Sequence, residues 1–169
     1  KAMRDKAGQP AVFIFGAGHT GRALAAALAP LPLAVTLVDS RPETLNGLPE
    51  SVCCEAVAMP EALVETAPPL SGFVVMTHDH GLDFLITAAA LARGDAAYVG
   101  MIGSATKRAR FASHLRDLGR PSDIHRLTLP IGASALRDKR PEVIAALTAS
   151  ELLTCLLSAQ QKSLPLRLA

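Results

Sequence analysis

Apolar residues fall along this chain in short unbroken runs, separated by stretches with helical spacing. Ala11–Phe15 is such a run and ends at Gly16, as a strand buried on both faces does. The period then changes to that of a helix over 19–29, and Pro30 and Pro32 stop it. A second strand is predicted over 34–38, closed by Asp39. Residues 41–50 hold two prolines and a glycine and read as loop. A third strand is a candidate over 52–57, with a short helix over 61–66. Pro68, Pro69 and Gly72 precede a strongly apolar strand over 73–77.

Leu82, Leu85, Ile86 and Ala89 then follow the i, i+3, i+4, i+7 spacing of a helix with one apolar face. Residues 98–102 read as another buried strand. Ser104 is placed to cap a helix whose apolar face includes Phe111, Leu115 and Leu118, and Gly119 suits its end. Residues 127–131 are a candidate last strand. Pro141 suits the first position of a final helix reaching about residue 159. Strands alternating with helices predict an α/β architecture: a single doubly wound Rossmann-type domain with a parallel sheet. The expected strand order is 3-2-1-4-5, with 127–131 as a candidate sixth strand. The domain is expected over 11–169, with 1–10 as a linker or the remnant of an upstream segment.

Composition narrows the classes. A length of 169 residues suits one domain with a real core. Many of the hydrophobic residues are alanines, which let helices pack closely on a sheet. Aromatics are only 4% of the chain and Trp is absent, so a base-stacking platform is not expected. A net charge of +2 is too small for non-specific nucleic-acid binding. Cys53, Cys54 and Cys155 form no CxxC pair, which fits a reducing cytoplasm with neither a disulfide scaffold nor structural zinc. No signal or lipidation motif opens the chain. The most apolar stretch, 143–157, is short and carries Glu151, so it reads as a buried helix and not a membrane span.

The chemistry starts at Gly16-Ala17-Gly18-His19-Thr20-Gly21, a full GxGxxG that follows a buried strand and opens a helix. Gly16 permits the tight turn, Gly18 lets a phosphate approach the backbone, and Gly21 lets the helix pack on the sheet. Free N–H groups and the positive end of the helix dipole favour an anion there. Thr20 lies in the same loop. His19 is either a ligand-facing imidazole or a first-turn surface histidine. Asp39, eighteen residues beyond Gly21, holds the position that commonly receives a ribose hydroxyl. Arg41 is an alternative acceptor for a 2′-phosphate.

Thr77-His78-Asp79-His80 and Asp83 form a second polar cluster after the fourth strand. In the expected sheet, strands one and four are neighbours and the connection reverses between them. The glycine loop and the His78–His80 segment should then face one cleft, with Gly103, Ser104 and Gly132 on its rim. His78 and His80 are the candidates for acid–base work. With Asp83 they are also the candidate metal ligands, although two nearby histidines seldom suffice. Asp79 or Asp83 can equally cap the next helix. Lys107, Arg108 and Arg110 read either as phosphate holders or as a solvated helix face.

Taken together, FGAGHTGRAL (15–24), VDSRPE (38–43), THDHGLD (77–83), YVGMIGSATKRARF (98–111), PIG (130–132) and KRPEVI (139–144) resemble the C-terminal domain of the xanthine dehydrogenase accessory protein family, XdhC-type. The resemblance implies an accessory factor, not a dehydrogenase. Such factors bind the molybdenum cofactor, a molybdopterin, and assist its maturation and insertion into xanthine dehydrogenase. Implied partners are that enzyme and cofactor-maturation proteins; a homo-oligomer stays open. The family often carries Cys just before the PIG run, where this chain has Leu129. The main alternative is an NAD(P)-dependent oxidoreductase using the same cleft. A methyltransferase using S-adenosylmethionine fits the full glycine spacing less well. The only tyrosine, Tyr98, is followed four residues on by Ile102, so no Tyr-x-x-x-Lys pair exists. The expectation is therefore cofactor handling without turnover.

Overall fold

The computed structural model describes residues 8–132 and 136–164. Five strands form one parallel sheet: β1 (Ala11–Phe15), β2 (Ala34–Asp39), β3 (Cys53–Ala56), β4 (Gly72–Val75) and β5 (Tyr98–Met101). Their order is β3-β2-β1-β4-β5, as the alternation of runs predicts. Helices α1 (His19–Leu28), α2 (Ala62–Thr66), α3 (His80–Arg93), α4 (Ala105–Asp117) and α5 (Pro141–Ser163) cover it. Phe15 pairs with Val38 on one side and Val75 on the other. The carboxyl ends of the three central strands are thus level, and Gly16, Asp39 and Met76 leave the sheet along one line.

Side chains alternate across the strands and divide the core in two. Val12, Ile14, Val35, Leu37 and Val74 face α1 and α5, where they meet Leu24, Leu28, Ala145, Ala149 and Leu152. Phe15, Phe73, Val75, Val99 and Met101 face the other layer, with Ile86 and Leu91 of α3 and Phe111 and Leu115 of α4. The small buried residues Ala25, Ala145 and Ala149 allow α1 and α5 to approach. By length and composition α5 would suffice to cross a membrane. In this fold its Ala145, Thr148, Ala149, Leu152 and Leu156 are buried within the domain.

Several expectations shift. The buried face of α3 carries Asp83, Ile86, Thr87, Ala90 and Leu91, while Leu85 is 50% exposed. Two polar residues on the inner face hide its phase from an apolar count. Leu85→Gln is therefore expected to change the unfolding free energy by less than about 0.5 kcal/mol, as a thermal melt would read. Leu118 lies just past the end of α4 and is exposed; Gly119, at φ +73°, completes that terminus. Ser104 stands at the N-cap of α4, but its side chain makes no cap hydrogen bond. A short 3-10 turn, Pro42–Leu45, interrupts the loop expected over 41–50.

The candidate sixth strand is a single bridge between Thr128 and Gly100. The Thr128 amide donates to Val99 O and its carbonyl accepts from Met101 N. The neighbouring carbonyls of Leu127 and Leu129 instead accept from the Arg108 guanidinium. Pro130 has no N–H to continue a ladder.

Candidate functional site

The three motif glycines have different surroundings. Gly16 has φ +115°, and a Cβ there would lie 2.4 Å from the Met76 carbonyl oxygen. A Cβ on Gly21 would lie 1.8 Å from the Gly16 carbonyl oxygen. Both glycines are therefore required by packing. Gly18 is extended, at φ −77°, and a Cβ there meets nothing within 4 Å. Gly18 also caps α1 without a side-chain hydrogen bond. Helix α1 therefore starts without a side-chain cap, next to a position where a side chain would meet open space. His19 is exposed and Thr20 half-buried.

Asp39 is buried at the end of β2. Its Oδ2 accepts from Ala17 N at 2.8 Å and from Arg41 Nη2 at 3.1 Å. Its Oδ1 accepts from Arg41 N at 2.9 Å and from Arg41 Nε at 3.0 Å. About four lone-pair positions are available to a carboxylate, and all are in use. One ion pair thus joins two residues that the sequence offered as alternatives. A ribose diol would reach Asp39 only by displacing the guanidinium, whereas an anion would meet Arg41 directly.

Burial pushes the Asp39 carboxyl up, but the hydrogen bonds from the Arg41 side chain, Ala17 N and Arg41 N outweigh it and hold its pKa at about 2. A carboxyl depressed on folding adds stability above its unfolded pKa, near 3.8, and loses it as pH falls through about 2. Asp39→Asn is expected to flatten the decline in denaturation midpoint between about pH 4 and pH 2. An unchanged decline would show that this carboxylate is not so held.

The second cluster divides into separate roles. Asp79 caps α3, its Oδ1 accepting from Leu82 N at 3.1 Å. His78 is exposed and lines the cleft beside Gly16 and Thr77. His80, the first residue of α3, is exposed and is not part of that lining. Asp83 is fully buried. Its Oδ1 accepts from Thr77 N at 2.9 Å and Thr77 Oγ1 at 2.6 Å. Its Oδ2 accepts from Lys107 Nζ at 2.7 Å, which also donates to Ile102 O at 2.8 Å. Both Asp83 oxygens are therefore committed within the protein. Among the described residues, no three His, Cys, Asp or Glu side chains come together as a metal-ligand set.

Lys107 and Arg108 fit neither role offered by the sequence. The Lys107 stem folds back across Gly103, where a Cβ would sit 2.5 Å from Lys107 Cδ. Gly103 is what allows the ammonium to reach Asp83. One buried network thus joins the THDHGLD and GSATKR stretches and fixes the ends of β4 and β5 side by side. Arg108 donates to carbonyls of Ile124, Leu127 and Leu129. Arg110 is exposed, as a solvated face requires.

The carboxyl edge carries two openings. A cavity of about 70 Å³ lies beside Gly16, Asp39, Ser40, Ala58, Thr77 and His78. Of the glycine loop it takes only Gly16, and of the His78–His80 segment only His78. Gly103 and Gly132 instead line a second pocket of about 330 Å³, beyond β5, with Ile102, Ile131, Ile144 and Leu147. Ser104 lines neither. No local sequence pattern marks this second pocket's walls. Its only signal was the pair of glycines closing the fifth strand and the PIG run.

The doubly wound sheet, with a glycine loop at the carboxyl end of its first strand, defines a Rossmann-type domain. The chain belongs to the XdhC family: the XdhC Rossmann domain matches it over residues 12–152. A crystal structure of a xanthine dehydrogenase from Bacillus halodurans is similar, with a TM-score of 0.76 at 23% identity. That similarity covers 93% of this chain and 45% of the other, so the chain spans less than half of that protein. A putative epimerase from Bacteroides thetaiotaomicron is similar over 56% of this chain and 46% of its own, with 15% identity and a TM-score of 0.42. No curated protein sequence matches the chain.

Proposed function

We propose that this domain is part of an accessory factor that binds the molybdenum cofactor at its carboxyl edge and assists its maturation and insertion into xanthine dehydrogenase. Membership of the XdhC family supports the accessory role. The observation that carries the binding step is the open space at Gly18 beside amides that no side chain caps. A terminal phosphate fits that cradle, because backbone N–H groups and the helix dipole both favour negative charge. Gly18, His19 and Thr20 would hold the phosphate, and Arg41 adds a nearby cation. The cofactor itself supplies the metal and its sulfur ligands for the dehydrogenase.

The domain performs no turnover by itself in this reading. Hydride transfer needs a proton donor beside the reacting carbon. Tyr98 is buried at the start of β5 and donates to Glu151 Oε2 at 2.8 Å, at the edge opposite the cleft. The factor acts in the cytoplasm, and its partners are the dehydrogenase and the proteins that mature the cofactor.

The test is mass spectrometry of what co-purifies with the native full-length protein and with its Gly18→Val variant. A pterin cofactor is expected with the former and at least tenfold less with the latter. The variant should keep its fold, since Gly18 has an ordinary φ and free space for a side chain. Steady NAD(P)H oxidation with a defined small substrate, or equal cofactor recovery from both proteins, would overturn the reading.

A further inference from the structure

We propose that Arg41, locked to Asp39, sets the ligand specificity of the carboxyl edge: it admits a phosphate ester that carries a second anionic group and rejects one that offers only neutral hydroxyls there. The inference rests on the reading that the glycine loop receives a phosphate, and it names the class of ligand that the loop and Arg41 can share.

A carboxylate at the end of a second strand commonly accepts from a ribose diol. That use requires free lone pairs. Asp39 has none to spare, because Ala17 N, Arg41 N, Arg41 Nε and Arg41 Nη2 occupy both of its oxygens. The Asp39 side chain is 6% exposed, against 42% for Arg41. The carboxylate is thus the inner pole of the pair and the guanidinium the outer one. A diol arriving from solvent meets N–H groups and finds no acceptor in Asp39 for its own protons.

The outer pole still has donors. A guanidinium carries five N–H groups, and Asp39 takes one from Nε and one from Nη2. Among the described residues nothing takes the remaining three, two of which are on Nη1. Glu43, the other carboxylate whose charge reaches Arg41, is exposed and makes no hydrogen bond to it. Salt and water screen that attraction. An oxyanion can accept from a guanidinium fork at two points and adds charge, whereas a hydroxyl does neither.

Distance makes the loop and the guanidinium one site. Ala17 N and Arg41 Nη2 stand 2.8 and 3.1 Å from the same Asp39 oxygen, so they lie within about 6 Å of each other. Gly18, where a side chain would meet open space, follows Ala17 directly. The frame around them is fixed. Phe15 pairs with Val38, and Gly16 N donates to Val38 O at 2.8 Å. Arg41 cannot swing aside freely, since one carboxylate holds its backbone amide and two of its side-chain nitrogens. A phosphate at the loop therefore brings its nearest substituents beside the guanidinium.

Isothermal titration calorimetry tests this with two probes that differ in one group: adenosine 5′-monophosphate, whose ribose keeps its diol, and adenosine 2′,5′-bisphosphate. The native full-length protein should bind the bisphosphate at least tenfold more tightly. Arg41→Gln keeps a donor for Asp39 without the charge, and should bring the two affinities to within about threefold of each other. Arg41→Ala uncovers Asp39 and should reverse the order, so that the monophosphate binds the more tightly. A fold that had merely loosened would weaken both probes together and leave their ratio unchanged. Equal affinities in the native protein, or an unchanged ratio in folded Arg41→Gln, would overturn the inference. Failure of both probes to bind the native protein, or binding undiminished by Gly18→Val, would strike the phosphate reading and the inference with it.

Discussion

Replacing Lys107 by Met is expected to lower the unfolding free energy by about 3–5 kcal/mol, among the largest effects of any single change outside the apolar core. Lys107 Nζ stands 2.7 Å from Asp83 Oδ2, and both side chains are buried. Methionine matches the length of the stem, so little packing is lost. What is lost is the countercharge, and the Asp83 carboxylate remains in the interior with only Thr77 to donate to it. Asp83→Asn in the same chain restores neutrality and keeps an acceptor for Thr77. The double variant should therefore recover most of the loss, to within about 1–2 kcal/mol of the native protein. Urea denaturation of the four proteins in a double-mutant cycle reads the coupling directly. Because the pair is shielded from solvent, the coupling should change little between low and high salt. Additive effects of the two substitutions would show that the ends of β4 and β5 are not held by this pair.

That network also shows where sequence reading reaches its limit. The order 3-2-1-4-5 was legible because β1, β2, β4 and β5 are apolar runs, and an apolar run has few other places to go. The glycine loop was legible because its spacing follows a strand and opens a helix. Asp83 and Lys107 were not. A lone aspartate after a histidine-rich turn looks like a ligand, and a lysine in a KRxR run looks solvated. Their burial depends on a contact between α3 and α4, which lie 24 residues apart at these side chains, and no local pattern encodes it. The phase of α3 is hidden for the same reason, since Asp83 and Thr87 occupy its inner face. Likewise, Asp39 and Arg41 read as rival ligand contacts because spacing along the chain does not reveal their ion pair. In three dimensions they are one bidentate pair, and the site presents the guanidinium. The pocket beyond β5 depends on the packing of the PIG run against α5, which spacing along the chain cannot reveal.

Gly21→Ala is expected to cost more than about 3 kcal/mol, or to prevent folding, while Gly18→Ala leaves stability within about 1 kcal/mol. The difference follows from where the added methyl goes. At Gly21 it lands 1.8 Å from the Gly16 carbonyl oxygen and 3.0 Å from the carbonyl carbon. These are backbone atoms, and Gly16 cannot retreat, since its own N–H donates to Val38 O at 2.8 Å. Nor can the loop slide sideways, because Ala17 N is held by Asp39. Relief would require α1 to lift off β1, exposing Leu24 and Leu28. At Gly18 the methyl enters open space at an ordinary backbone angle. The loss at an N-cap is then small. Thermal melts of both variants decide the matter, and their ligand affinities complete it. Gly18→Ala should melt with the native protein and bind a phosphate-bearing ligand more weakly. Equal melting of the two variants would mean that the turn from β1 into α1 is looser than this packing allows.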